Sequence, residues 1–247
     1  MLRRIFLLIT KLVPLGSKIR ILTGPLKGIK WIAGAAEGNG KGLSVLMNLA
    51  EPDQIKKAVT ISSKDKIVFD IGANVGMYSV LYARYCKQVY CFEPLPRNLH
   101  YLYRILAINH FKNATIVPFA VGERFQLANF QEHERHSEGK ISNSGTQPAV
   151  VIDLKTFIEK YNVIPDIIKI DVEGAEYDLL KSAKDFITNV PTLEIMLSVH
   201  SDQLRTNCLE LLKECNFGVI EPLDNPDINK AFEYYFYKKD NRTNTNL

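Results

Sequence analysis

The sequence predicts an α/β protein, doubly wound about a mostly parallel sheet, and three observations carry that prediction. From Lys66 onward, short apolar runs alternate with longer stretches of helical periodicity, the pattern of parallel strands joined by crossover helices. Two of the apolar runs end in carboxylates followed by glycine, VFDIGANVGMYS from Val68 and IIKIDVEGAE from Ile167. Open α/β sheets bind their ligands at such strand ends. With 247 residues, 46% hydrophobic and 23% charged, the chain can bury one large core of ordinary composition.

The elements follow in order. Lys66 to Ile71 reads as a strand, Met77 to Cys86 as a helix, Gln88 to Phe92 as a strand, Arg97 to His110 as a helix and Thr115 to Ala120 as a third strand. The segment Phe125 to Val150 interrupts the alternation; it is polar, rich in Gly, Ser, Asn and Gln, and has the character of a long hairpin or a lid beside the site. A helix at Leu154 to Tyr161, a strand at Asp166 to Val172 and a helix at Ala175 to Ala183 resume it. A strand at Thr192 to Val199, a helix at Asp202 to Cys215 and two strands, Phe217 to Ile220 and Glu233 to Tyr237, complete it. The division expected is an N-terminal extension with lead-in helices over 1–60, one catalytic domain over 61–240 with the 125–150 insertion, and a frayed tail over 241–247.

Charge is unevenly placed. Before Glu37 there is no acidic residue, while Arg3, Arg4, Lys11, Lys18, Arg20, Lys27 and Lys30 are basic. Leu2, Ile5, Phe6, Ile9, Leu12 and Val13 recur at helical spacing, which predicts a short amphipathic helix ended by Pro14 and Gly16. Such a helix either docks on the domain or lies on anionic lipid as a peripheral membrane contact. Its apolar run is too short for a signal peptide or a membrane span. The net charge of +4 is mild and no nucleic-acid motif is present, so no nucleic-acid partner is expected. Cys86, Cys91, Cys208 and Cys215 form no CxxC pair, the mark of reduced thiols in a cytoplasmic protein without structural disulfides.

The turn after the first strand departs from a dinucleotide fingerprint. GxGxxG would need glycine at Asn74 and Met77. What stands there is Asp70, Gly72, Ala73, Asn74 and Gly76. A carboxylate at that point repels a pyrophosphate but attracts an ammonium. S-adenosylmethionine carries an ammonium and a sulfonium, and its carboxylate suits the helix N-terminus that opens at Met77. Glu93, in CFEP with Pro94, ends the next strand at about the 20-residue interval where an acidic side chain holds a ribose. Glu93 serves either adenosine cofactor; the missing glycines disfavour the nicotinamide one.

Asp171, Glu173 and Glu176 crowd the second carboxylate-rich turn. Such crowding costs repulsion unless a cation, a proton or a partner such as Lys169 offsets it. Glu176 reads as a helix cap, whereas Asp171 and Glu173 stand where an acceptor hydroxyl would be held or deprotonated.

FDIGANVGMYS, FEPLPRNLHYL followed by Asn109, FAVGE, and IKIDVEGAEYDLLKSA, in this order and spacing, resemble the FkbM family of S-adenosylmethionine-dependent methyltransferases. The resemblance covers about Gly28 to Val199 and includes the approach segment GPLKGIKW. It implies a class I methyltransferase, Rossmann-like sheet of seven strands with an antiparallel last strand, and O-methylation of a hydroxyl on a sugar, glycan or natural product. It also implies that Asp70, Gly72, Asn74 and Gly76 line the methionine end and Glu93 the ribose. Ala120 and Val121 would border the adenine, and Asp171 and Glu173 would face a small-molecule or glycan acceptor.

One departure stands out. Many relatives carry an acidic residue two positions before the histidine that closes LEIMLSVH; here it is Ser198, leaving His200 as the candidate base. HERH, His133 to His136, has metal-like spacing but no third ligand, so no metal is assigned there. A divalent ion, if the reaction used one, would sit at Asp171 and Glu173. Two other readings compete with the methyltransferase: a cofactor-binding fold that acts as an interaction module without turnover, and a nicotinamide-dependent oxidoreductase.

Overall fold

A computed structural model describes residues 13–36, 43–132, 139–141, 145–223 and 231–238. The strands are β1 (Lys18–Arg20), β2 (Lys30–Ile32), β3 (Ile67–Ile71), β4 (Gln88–Phe92), β5 (Ala114–Val117), β6 (Ala120–Gly122) and β7 (Gln126–Glu132). They continue as β8 (Gly139–Ile141), β9 (Gln147–Asp153), β10 (Ile167–Ile170), β11 (Glu194–Val199), β12 (Val219–Pro222) and β13 (Phe232–Tyr237). The helices are α1 (Pro52–Ile61), α2 (Met77–Tyr85), α3 (Pro96–Ile108), α4 (Leu154–Tyr161), α5 (Glu176–Ser182), α6 (Lys184–Asn189) and α7 (Asp202–Glu214).

Seven strands form the main sheet in the order β12-β13-β11-β10-β3-β4-β5. β10 is parallel to β3 and β11, and β4 is parallel to β3 and β5, while β13 runs antiparallel to β11 and β12. This is the class I methyltransferase arrangement, with the last strand reversed. The chain leaves β3 towards β4 on one side and reaches β11 from β10 on the other. The β3/β10 boundary is therefore the topological switch point, where a crevice opens at the carboxyl edge.

Burial on both faces explains why these strands are apolar runs. Val68, Val89, Cys91 and Met196 face one core layer, with Tyr78, Leu81 and Tyr82 of α2. Phe69, Phe92, Ile168, Ile195 and Leu197 face the other, where Phe157 of α4 meets Phe69 and Phe92 edge-on at 5.6 and 4.9 Å between ring centroids. Helix starts follow local chemistry. Pro96 opens α3, and the Asp153 and Ser201 side chains cap α4 and α7 by accepting from the Thr156 and Leu204 amides. All four cysteines are free and buried.

The structure corrects several boundaries. Residues 18–32, given no strand in the expected N-terminal extension, form the antiparallel β1–β2 hairpin, and Ile21, Trp31 and Ile32 are buried in the α2 core layer. Asn109 ties that hairpin to α3: its Oδ1 accepts from the Lys30 amide and its Nδ2 donates to the Lys30 carbonyl, both at 2.8 Å. The third strand stops at Val117, and after Pro118, which has no amide to donate, the chain enters a second sheet ordered β6-β9-β7-β8. The polar segment at 125–150 supplies most of that sheet. The helix expected over Ala175 to Ala183 is α5, followed after Ala183 by the separate helix α6. The N-terminal amphipathic helix, HERH and the 241–247 tail lie outside the described residues. No helix among the described residues is long and apolar enough to cross a membrane.

Candidate active site

The turn after β3 is held by its own strand neighbours. The Gly72 and Ala73 amides both donate to the Phe92 carbonyl at 3.0 and 2.9 Å, and the Gly76 amide donates to Ala73. Gly72, Asn74 and Gly76 have φ of 79°, 51° and 98°, the left-handed region that favours Gly and tolerates Asn. Gly72 is glycine for a packing reason: a Cβ there would stand 1.9 Å from the Asp171 carbonyl oxygen. Close backbone approach was the expectation, and the group that approaches is the β10 turn.

Asp70 is completely buried. Its Oδ2 accepts from the Ser79 hydroxyl at 2.6 Å, its Oδ1 lacks a hydrogen-bond partner, and the Lys169 ammonium lies 3.9 Å away. Burial pushes its carboxyl up, with Lys169 and Ser79 opposing. Glu93 is also buried; it accepts from the Asn74 amide at 2.8 Å, the Leu95 amide at 2.9 Å and the Asn98 amide group at 3.2 Å. Burial outweighs those bonds and raises its carboxyl to about 7. A carboxylate offers about four acceptor positions, so one remains for a ligand hydroxyl. Pro94 follows Glu93 in the link to α3, and Ala120 and Val121 are buried residues of β6.

Lys169 organises the neighbouring strand end. Its ammonium is 3.0 Å from Asp171 Oδ2 and 4.5 Å from the centre of the Tyr78 ring. Burial disfavours its charge, but Asp171 and then Asp70 reverse that and raise its pKa. Asp171 moves the other way: burial is overcome by Lys169, then His200, and its pKa falls. The anticipated offset of carboxylate crowding by Lys169 is thus a direct contact.

His200 joins the same cluster. Its Nδ1 is 2.5 Å from Glu176 Oε1, and its Nε2 is 3.5 Å from Glu173 and 3.7 Å from Asp171. Burial opposes a charged imidazole, but the Glu176 hydrogen bond, followed by the Asp171 and Glu173 charges, raises His200 to about 9. The shift favours the imidazolium at neutral pH, where it is a counter-ion to these carboxylates. Glu176, expected only to cap a helix, is wholly buried and holds the histidine. Such pairing is invisible in sequence because the two residues lie on different elements.

A folded pKa raised from 6.5 to about 9 stabilises the protein fully below about pH 6.5, and that stability is lost as pH rises through 9. With the His200 side chain 20% exposed, the loss is expected to be roughly 3 kcal/mol. Urea unfolding of wild type and His200→Gln across this range isolates it as the difference between the two curves.

Further residues missing from the sequence reading belong to the same cluster. The Tyr78 hydroxyl donates to Glu51 Oε2 at 2.7 Å, and the Ser198 hydroxyl donates to Glu233 Oε2 at 2.7 Å. Glu51 precedes α1 and Glu233 lies on β13, beyond the motif-bearing stretch.

The Methyltransferase FkbM domain model matches residues 70–219, most of the sheet and both carboxylate-rich turns. The chain belongs to the FkbM methyltransferase family. Among curated proteins, this FkbM chain is 23% identical over 173 residues to the hexuronic acid methyltransferase AglP of Haloferax volcanii, covering 68% of this chain and 70% of that protein. An FkbM methyltransferase structure from Methylobacillus flagellatus KT superposes with a TM-score of 0.55 at 19% identity, over 71% of this chain. The chain spans only 44% of that protein's length. A ribosomal protein L11 methylase from Lactobacillus delbrueckii subsp. bulgaricus matches with a TM-score of 0.51 at 10% identity, over 90% of this chain and 91% of its own. At such identities the structural likeness concerns the fold.

The methyl donor of the FkbM family is S-adenosylmethionine. The residues present fit it. Asp70 keeps a buried oxygen without a hydrogen bond, Glu93 retains an acceptor position, and the amides opening α2 have no intrahelical partners. The family match favours neither an oxidoreductase nor a module without turnover.

Proposed function

We propose that this FkbM protein transfers the methyl group of S-adenosylmethionine to a hydroxyl, with a sugar or glycan as the acceptor. The single observation that carries the reading is the pairing of two acidic strand ends across the β3/β10 switch point, Asp70 with Glu93 on one side and Asp171 with Glu173 on the other. The curated likeness to a hexuronic acid methyltransferase supports a sugar acceptor.

In this reading Gly72, Ala73, Asn74 and Gly76 shape the methionine end under the negative charge of Asp70, and Glu93 accepts from the ribose. Pro94, Ala120 and Val121 border the adenosine. The donor supplies a methyl group made electrophilic by its sulfonium. The chain's own contribution is mainly alignment: two reactants held on one sheet edge gain most of the acceleration available to a simple displacement. Asp171 and Glu173, 35% and 31% exposed at the side chain, face outwards where an acceptor would lie. Clamped between Lys169 and His200, Asp171 is a strong hydrogen-bond acceptor and a weak base. The imidazolium of His200 positions these two carboxylates.

Donor binding should depend on the ionisation of Glu93. Its carboxylate form accepts the ribose hydroxyls, so affinity is expected to rise as pH climbs through about 7. Glu93→Gln should weaken binding by about 10–100-fold and abolish that pH dependence in calorimetry. Glu173→Ala should lower transfer of labelled methyl to uronic acids and hexoses more than it lowers donor affinity. Wild-type affinity in Glu93→Gln at every pH would overturn the donor assignment.

A further inference from the structure

Ser198, next to last on β11, acquires a carboxylate neighbour from far along the chain. β13 runs antiparallel to β11 with Ser198 opposite Glu233, so both side chains leave the same face of the sheet. Because β13 is reversed, its second residue, not its last, lies at the edge where β3, β10 and β11 end. The Ser198 hydroxyl donates to Glu233 at 2.7 Å, and the Asp171 charge acts on the Glu233 carboxyl. The last strand thus brings a carboxylate to the sheet edge that carries Asp171.

We propose that Glu233 is the proton acceptor of methyl transfer. The inference rests on the hydroxyl-transfer reading above. The acceptor's O–H bond breaks as its oxygen bonds to the methyl carbon. The carbon–sulfur pair departs with sulfur, which becomes a neutral thioether, and the proton passes to the Glu233 carboxylate and later to solvent.

Elimination among the neighbouring groups supports the assignment. Asp70 is sealed, Asp171 is held ionised by Lys169, Glu176 is sealed against His200, and Glu173 faces the His200 cation. Glu233 is half-buried, and among the described residues its hydrogen bond comes from the neutral Ser198. The groups facing it are Asp171 and Lys169 from the β10 end, Ser198 from β11, Glu51 before α1, and Tyr78 of α2. Burial first, then the Asp171 and Glu51 charges against Ser198 and Lys169, lifts its carboxyl to about 8. A base works best when its pKa lies near the operating pH.

Two measurements test this. With glucuronic acid, glucose and 4-nitrophenol as hydroxyl probes and labelled donor, Glu233→Gln should lower kcat by about 100-fold or more at unchanged donor affinity. It should also remove the rise in kcat through about pH 8. Ser198→Asp combined with Glu233→Gln should recover at least part of the rate by moving the carboxylate one strand across. Independently of any acceptor, carbon-13 NMR of glutamate-labelled protein should show one carboxyl titrating near 8 that is absent from Glu233→Gln. A Gln variant with wild-type kcat, or a Glu233 titrating near the usual value of about 4.3, overturns the proposal. A wild type that binds donor yet methylates no probe counts against the hydroxyl-transfer reading, and the NMR titration then decides Glu233 alone.

Discussion

Replacing Lys169 with methionine is expected to cost about 3–5 kcal/mol of folding stability, the usual penalty for removing one member of a buried ion pair. Methionine keeps an unbranched apolar stem but removes the ammonium over the Tyr78 ring and leaves Asp70 and Asp171 without their shared cation. Asp70 is the more exposed to this loss energetically, since no water reaches it and one oxygen already lacks a hydrogen bond. The penalty should shrink towards low pH, because protonating the two carboxyls removes the charges the lysine neutralised. Adding Asp70→Asn to Lys169→Met should recover part of the loss, since the two sites share one interaction. Denaturant unfolding of the two single variants and the double variant supplies the cycle; a Lys169→Met protein within about 1 kcal/mol of wild type would show that this lysine is not the counter-ion.

Gly72→Ala should be nearly as damaging, by steric means. The left-handed backbone costs an alanine about 1–2 kcal/mol, and forcing a methyl against the Asp171 carbonyl adds about 1–3 kcal/mol. The contact joins the ends of β3 and β10, so relief requires the two turns to part, and donor affinity in calorimetry should fall with stability. Gly174→Ala is the matched control: its φ is +89° and a Cβ there meets nothing within 4 Å. It should carry the backbone cost alone. Equal destabilisation by the two substitutions would mean that the clash is absent.

The sequence made the sheet legible because buried parallel strands are written as apolar runs, and the two turns legible because Asp70, Gly72, Asp171 and Gly174 interrupt those runs abruptly. Family-like motifs sharpened both. What stayed hidden depends on register. His200 could be seen as a histidine at a strand end, but its pairing with Glu176, which favours its charged form, required the placement of α5 against β11. The Ser198–Glu233 contact stayed hidden because Glu233 is far along the chain and becomes its neighbour only through antiparallel pairing. The β1–β2 hairpin was hidden differently: the basic residues at 18, 20, 27 and 30 drew attention to charge, while Ile21, Trp31 and Ile32 beside them are the buried half.

The inaccessible thiols have a practical consequence. Since Cys86, Cys91, Cys208 and Cys215 are all enclosed, a new cysteine at Leu127, 82% exposed on β7, would be the preferred target of a maleimide dye without deleting any native cysteine. A fluorophore there can report directly whether the small side sheet shifts when the nucleoside arrives.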